Sequence, residues 1–127
     1  MNLKEISLPV QKELEKFDDV FREAMRSKIF LVDTITRYLV KQKGKKMRPL
    51  LVMLCSKMCG GIDERTYRAA ALVEILHTAT LIHDDVIDEA NTRRGLPSIN
   101  AVWKNKAAVL MGDFLLAKGL LLSLDNY

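Results

Sequence analysis

The chain has 127 residues, 49% of them hydrophobic, which is enough to bury one core. Its formal net charge is +4, but aromatic residues make up only 6% and are not interleaved with basic residues, so nucleic acid is not an expected partner. The N-terminus has no apolar signal core, and the long apolar stretch 107–124 contains Asp113 and Lys118, which are costly in lipid. We therefore expect a cytoplasmic protein with no transmembrane segment and with a buried helix over 107–124.

Apolar residues at helical spacing, with few prolines and glycines, predict an all-α fold. The expected helices span residues 7–25, 29–43, 50–58, 64–88, 99–103 and 107 onwards. Gly44 is expected to end the second helix, Asp63 to cap the fourth, and residues 93–98 to form a loop. Cys55 and Cys59 lie one turn apart in an apolar stretch and are expected to be reduced and buried.

An acidic cluster, His83-Asp84-Asp85-Val86-Ile87-Asp88, ends the long fourth helix. Asp84 and Asp88 are four residues apart, so their carboxylates share one helix face, with Asp85 beside them. Clustered carboxylates repel one another and favour a hard cation such as magnesium, which prefers oxygen ligands. The alternative is an acidic, solvated helix end. His77 lies two turns earlier, about 10 Å along the axis, and would extend the same face as a groove.

Two basic segments accompany this cluster. In Gly44-Lys45-Lys46-Met47-Arg48-Pro49, a glycine and two cations flank a helix N-terminus, which suits an anion such as a diphosphate. The alternative is a solvated basic loop. Arg93 and Arg94 follow Asp88 by five and six residues, where they could neutralise the carboxylates or hold a phosphate bridged by a metal.

In order and spacing, these segments resemble the trans-isoprenyl diphosphate synthases, or polyprenyl synthetases. The resemblance rests on Gly-Lys-x-x-Arg-Pro at 44–49, a histidine in an apolar helix, Asp-Asp-x-x-Asp at 84–88 and Arg-Arg-Gly at 93–95. It extends through 106–113 and covers about residues 44–121. It implies an isoprenoid synthase-type helical bundle, of which residues 1–127 would be the N-terminal portion, ending before the second aspartate-rich motif of the family.

The resemblance implies a magnesium-dependent prenyltransferase that condenses isopentenyl diphosphate with an allylic diphosphate. The implied catalytic cluster is Asp84, Asp85 and Asp88, with Asp84 and Asp88 as the magnesium ligands. The residues implied for isopentenyl diphosphate are Gly44, Lys45, Arg48, His77 and Arg94. Arg93 is implied for the allylic diphosphate. Because the second aspartate motif of the family is not in this chain, the 127 residues alone are expected to have little or no synthase activity.

The resemblance also bears on product length and assembly. Bulky aromatic residues four and five positions before the first aspartate shorten the product in this family, whereas Thr80 and Ala79 are small here. This implies a polyprenyl product of medium or long chain. Family members are usually homodimers, and the apolar helix over 107–124 is the expected interface.

Two other interpretations of the chain stay open at this point. One is a non-catalytic synthase-like subunit or binding module. The other is an HD-type metal phosphohydrolase, because His83-Asp84 matches the His-Asp dipeptide of that class. That class needs further histidine ligands, and the chain has only 2 histidines.

Overall fold

The computed structural model describes residues 2–41 and 45–124, and nearly all of its regular structure is helical. The elements are α1 (Leu3–Ser7), a 3₁₀ turn (Leu8–Val10), α2 (Gln11–Ala24), α3 (Phe30–Lys41), α4 (Met47–Met58), α5 (Glu64–Ile87), β1 (Thr92–Arg93), β2 (Leu96–Pro97) and α6 (Ile99–Leu124). The predicted all-α class is confirmed. The predicted helix end at Gly44 lies outside the described residues.

The N-terminal region is divided where one helix over 7–25 was predicted. Helix α1 begins at Leu3, capped by the Asn2 side chain, which accepts the N–H of Glu5 at 2.9 Å. A 3₁₀ turn containing Pro9 separates it from α2. Proline has no N–H to donate to the helical ladder, so the chain changes its hydrogen-bond pattern there and resumes α-helix at Gln11.

Helix α5 positions the site, and its start is built as predicted. The Asp63 side chain accepts the N–H groups of Arg65 at 3.0 Å and Thr66 at 3.2 Å, and the Thr66 hydroxyl accepts the Asp63 N–H, forming a capping box. The Thr66 N–H and the Arg65 side chain lower the pKa of Asp63. No proline or glycine interrupts the next 24 residues, and Asp88 follows as the C-cap.

Helix α6 packs along α5 and forms most of the core with it. The two predicted helices over 99–103 and from 107 onwards form one element with a non-helical break at Lys104, where φ is 72° and ψ is 167°. The core cluster along this pair consists of Ile75, Ala79 and Ile82 of α5, Ile99, Ala108, Met111 and Leu115 of α6, and Met25 and Ile35 from the α2–α3 region. Gly119 lets the two helices approach, since a Cβ there would lie 2.9 Å from Leu76 Cδ2.

The prediction that the apolar helix is buried is wrong for this chain, because only one face of α6 is covered. Leu115 is completely buried, whereas Leu110 is 68% exposed and Leu120 is 63% exposed. By length and composition α6 is the one described helix that could cross a membrane. Core helices of soluble proteins meet the same two criteria, so the absence of a transmembrane segment stays a prediction.

The two cysteines are free, but the prediction that they are buried is wrong, since both are exposed. Helix α4 buries Leu50 and Met53. Cys55 follows Met53 by two residues and therefore lies about 200° around the helix from it. Cys59 follows the last helical turn as its C-cap. The apolar residues around the cysteines do not form a second buried face.

Candidate functional site

A cavity of about 160 Å³ lies beside the C-terminal half of α5. Its apolar lining residues are Phe17, Phe21, Leu39, Val40, Pro49, Leu81, Ile82 and Ile99. Its polar lining residues are Asp18, Arg22, Lys46, Glu74, Thr78, Asp85, Arg93 and Arg94. The cavity therefore brings together residues from the basic segment before α4, the acidic end of α5 and the arginine pair. This mixture suits a molecule with an apolar body and an anionic head.

The three aspartates at the end of α5 have different surroundings. Asp85 is only 4% exposed, whereas Asp84 and Asp88 are exposed. Arg93 donates to Asp85 through Nε, at 3.2 Å, and through Nη2, so the two side chains form a bidentate ion pair. The hydrogen bond to Asp85 raises the pKa of Arg93. Asp85 therefore holds the first arginine of the Arg93-Arg94 pair.

Asp84 and Asp88 are the carboxylates that remain open. The Asp88 N–H donates to the Asp84 carbonyl at 2.8 Å, which keeps the two residues in helical register at the end of α5. Neither side chain takes part in an ion pair among residues 2–41 and 45–124. Within the same residues, no three His, Cys, Asp or Glu side chains come together as a metal site. A cation held by Asp84 and Asp88 would need further oxygens from a phosphate or water.

His77 lies half-buried on α5 in a field of positive charge. Its pKa is lowered, first by burial, then by the charge of Arg48, and also by Arg94 and Arg93, while Glu74 opposes the shift. Arg48 belongs to α4. Strands β1 and β2 pair antiparallel as a short β-ribbon, in which Arg93 ends β1 and Arg94 lies in the connecting turn. Guanidinium groups from two distant parts of the chain thus act on one imidazole. Helical spacing does not reveal this proximity, whereas the family resemblance implies it for Arg48, His77 and Arg94.

Two ion pairs attach the basic segment to the helices around it. Arg48 Nε donates to Glu74 Oε2 at 3.1 Å, and the Glu74 side chain is only 14% exposed. Lys46 Nζ lies 2.5 Å from Asp18 Oδ2 on α2. Lys45 is exposed, and Gly44 lies outside the described residues.

Sequence reasoning missed Asp18 and Glu74 as residues of this region, and it gave Lys46 of the basic segment no role of its own. Glu74 is a polar residue on an apolar helix three positions before His77, so extending the His77–Asp84 face by one turn would have found it. In the sequence, Asp18 is one of two adjacent aspartates whose fifth residue is Arg22 rather than a third aspartate. Its partner is 28 residues away, a contact that spacing along a helix does not reveal.

The two residues implied in product length lie in different places. Thr80 is exposed and lies one turn before Asp84 on the same side of α5. Its hydroxyl donates to the His77 carbonyl at 2.7 Å. Ala79 is completely buried in the core cluster. In this structure a larger side chain at position 79 would therefore meet the core, whereas one at position 80 would extend beside the carboxylates.

The family model for polyprenyl synthetases matches residues 30–125. The chain belongs to the polyprenyl synthetase family. This match leaves the HD-type phosphohydrolase interpretation without support, and His83 of this synthetase-family chain faces α6 rather than a set of metal-binding histidines.

Relatives of this polyprenyl synthetase chain match almost all of it. It is 43% identical to the all-trans-nonaprenyl-diphosphate synthase (geranyl-diphosphate specific) of Rhodobacter capsulatus, over 97% of this chain and 39% of that protein. It is 36% identical to the geranylgeranyl diphosphate synthase of Saccharolobus solfataricus, over 93% of this chain and 36% of that protein. The chain thus spans less than two fifths of the length of either relative.

A solved structure agrees closely with the fold. A polyprenyl synthase from Caulobacter crescentus CB15, complexed with calcium and isoprenyl diphosphate, superimposes with a TM-score of 0.91 and 28% sequence identity. The match covers 98% of this chain and 38% of that one. The helical arrangement described above is therefore that of an isoprenoid synthase over the portion that the chain represents.

Proposed function

We propose that this chain carries the isopentenyl diphosphate site and the first metal-binding aspartates of a prenyltransferase, which condenses isopentenyl diphosphate with an allylic diphosphate. The observation that carries the proposal is that Arg48, Arg93 and Arg94 are near enough to His77 for their charges to lower its pKa, while two open carboxylates lie further along the same helix. Family membership supports the same activity. The chain covers 39% of its nonaprenyl relative, so the complete reaction is proposed for the protein of which these residues are part.

Charge and burial support a diphosphate beside His77. Arg48 and Arg94 place fixed positive charge around the imidazole, which burial and these charges keep neutral. A bound diphosphate would offset that charge and would accept hydrogen bonds from the guanidinium groups. Lys45 is exposed at the start of the same segment and adds a third cation. We assign these four residues, together with Gly44, to isopentenyl diphosphate.

The two open carboxylates fit a hard divalent cation. Asp84 and Asp88 supply only oxygen, lie one turn apart and have no competing ion pair among the described residues. We propose that they hold magnesium together with diphosphate oxygens. When bound, the cation would neutralise negative charge on the leaving diphosphate. Asp85 keeps Arg93 beside this site, and Arg93 would add its charge to the allylic diphosphate.

Product length is a finer part of the proposal. The relatives include nonaprenyl and geranylgeranyl diphosphate synthases, so family membership alone leaves the length open. Thr80 is small, exposed and one turn below Asp84, a place where an aromatic ring would obstruct a tail growing along α5. We therefore propose a medium- or long-chain product, with Thr80 contributing more to its length than the buried Ala79.

The assembly proposed is a homodimer, and the protein is proposed to be cytoplasmic. The uncovered face of α6, with Leu110, Leu120 and Leu121 each more than half exposed, is an apolar surface that a second copy could cover. Leu115 cannot test this interface, because it is completely buried in the monomer core.

The deciding experiment is magnesium-dependent condensation of radiolabelled isopentenyl diphosphate with farnesyl diphosphate, with products resolved by length. The 127-residue chain is compared with a reading frame that continues past Tyr127. Activity of the longer chain alone supports the proposal. Activity of the short chain would show that the second aspartate motif is dispensable here. Inactivity of both would favour a binding module.

Matched variants connect that assay to the site. Arg48→Gln removes one of the charges around His77 and should raise the KM for isopentenyl diphosphate. Arg37→Gln removes the same formal charge of +1, but from an exposed arginine that pairs with Asp33 within α3. The control should leave the KM unchanged. Equal effects of the two substitutions would contradict the assignment of Arg48.

A further inference from the structure

The acidic end of α5 is fastened to α6 through His83, the residue directly before Asp84. His83 Nε2 lies 3.2 Å from the carbonyl oxygen of Val109 and 3.3 Å from Asp113 Oδ1. Both partners belong to the Val109-to-Asp113 turn of α6. The segment containing Gly112 and Asp113 resembles the family sequence, yet the substrate and metal assignments above give these two residues no role.

Gly112 provides the space that this contact needs. A Cβ at position 112 would lie 2.2 Å from His83 Nε2 and 2.3 Å from His83 Cδ2, far inside any permitted contact. The imidazole therefore occupies the volume that a side chain at position 112 would take. Any residue larger than glycine would force the ring away from Val109 and Asp113.

The partners also determine which nitrogen carries hydrogen. A carbonyl oxygen and a carboxylate oxygen are acceptors only, so His83 Nε2 must be the donor in this contact. The bond is therefore directional, since one N–H points at one turn of α6. Because a hydrogen bond prefers a narrow range of angles, this contact restrains rotation of the α5 end about its axis.

The arrangement around the axis shows what this restraint acts on. Successive residues of an α-helix turn by about 100°, so Asp84 and Asp88 lie about 100° and 140° around from His83, and Asp85 lies about 200° around. Asp85 is held by Arg93. The two open carboxylates therefore lie on the arc between two side chains that are held by other elements.

We propose that His83 is a positioning residue, which with Gly112 and Asp113 sets the rotation of the α5 end and so aims Asp84 and Asp88 at their cation. This inference rests on the proposed function, because it assigns His83 to the same metal site. By this inference, Gly112 and Asp113 contribute to metal binding, and not to substrate binding or to general helix packing.

The test uses two substitutions that disturb the contact differently. His83→Phe keeps a ring against Gly112 but removes the N–H donor, and Gly112→Ala displaces the ring. Both should raise the Mn²⁺ dissociation constant by roughly 10–100-fold, the usual effect of substituting a residue that supports metal ligands. The constant is measured by EPR titration in the presence of inorganic pyrophosphate. His83→Gln, which can return an N–H to the same place, should recover part of the affinity. In the active protein, the magnesium requirement should rise while the KM for isopentenyl diphosphate stays constant.

Gly119→Ala is the matched control. It introduces the same methyl group on the same helix and clashes with Leu76 Cδ2 at 2.9 Å, so it should lower the unfolding temperature without changing Mn²⁺ affinity. If Gly119→Ala weakens Mn²⁺ binding as much as Gly112→Ala, or if His83→Phe binds normally, the positioning role is wrong and the proposed function stands. If the wild-type chain binds no Mn²⁺, the metal site itself is wrong and His83 has nothing to position.

Discussion

Substitution of Asp85 and of Asp84, one at a time, should separate a structural carboxylate from a metal ligand. The Asp85 side chain is 6% exposed and its partner Arg93 is 33% exposed. Exposed ion pairs contribute about 0–1 kcal/mol, and removing one partner from a fully buried pair costs about 3–5 kcal/mol. This pair lies between those limits, so Asp85→Asn should lower the free energy of unfolding by about 2 kcal/mol.

Asp84→Asn, by contrast, should leave the free energy of unfolding nearly unchanged. Asp84 is exposed and has no ion-pair partner among the described residues, and its removal relieves repulsion from the neighbouring carboxylates. Its effect on the free energy of unfolding should stay within about 0.5 kcal/mol. Mn²⁺ binding by the 127-residue chain and the metal-dependent activity of the longer chain should both be lost.

Urea denaturation and thermal unfolding of the 127-residue chain measure the stability change caused by each of the two substitutions. For a chain of this size, a loss of 2 kcal/mol corresponds to a decrease in unfolding temperature of about 6–10 °C. Arg93→Lys is the control for geometry, because it keeps the charge but loses the two-pronged contact, and it should fall between wild type and Asp85→Asn. Equal stability of the Asp84→Asn and Asp85→Asn chains would refute the division of roles.

Three further predictions test the proposed site and assembly. NMR titration should give His77 a pKa below the ordinary value of 6.5. The substitution Arg48→Gln and the addition of inorganic pyrophosphate should each raise this pKa. An unchanged pKa in both experiments would count against the diphosphate site. Because the pKa of His77 is lower in the folded than in the unfolded chain, protonation of His77 should reduce stability only as the pH falls below about 6.5. Thr80→Phe should shorten the products resolved by chromatography with the fold intact, whereas Ala79→Phe should destabilise the core; unchanged product lengths in Thr80→Phe would exclude that role. Leu110→Glu should lower the sedimentation coefficient if α6 forms a dimer interface, and an unchanged coefficient would reject that interface.

Local signals in the sequence were sufficient to predict helix α5 and the residues it carries. Asp63 caps the helix through contacts within three residues, and the following stretch has no proline or glycine before Asp88. Helical spacing then determines that Asp84 and Asp88 share a face. The break at Lys104 was also predictable as a gap between two helices, although its left-handed backbone was not.

Contacts between distant segments could not be predicted in this way. Arg48 and Glu74 are 26 residues apart, and Lys46 and Asp18 are 28 residues apart. Each pair depends on how separate helices pack, which periodicity within one helix does not determine. The error over Cys55 has the same origin, because an apolar run shows that a helix has a buried face without showing which residues lie on it. The β-ribbon was predicted as a loop, since its strands have only two residues each.

The acidic cluster shows why residue type alone does not assign a role. Asp84, Asp85 and Asp88 have the same chemistry and lie within five residues, so they differ chiefly in direction around the helix axis. Asp85 points to Arg93 and is nearly inaccessible, and a cation could reach it only by displacing a bidentate guanidinium. The other two point along the arc that neither the β-ribbon nor α6 covers. The proposed division, in which Asp85 holds Arg93 while Asp84 and Asp88 bind the cation, therefore follows from helix geometry. The proposed role of His83 is to fix the rotation of this end of α5, on which that division depends.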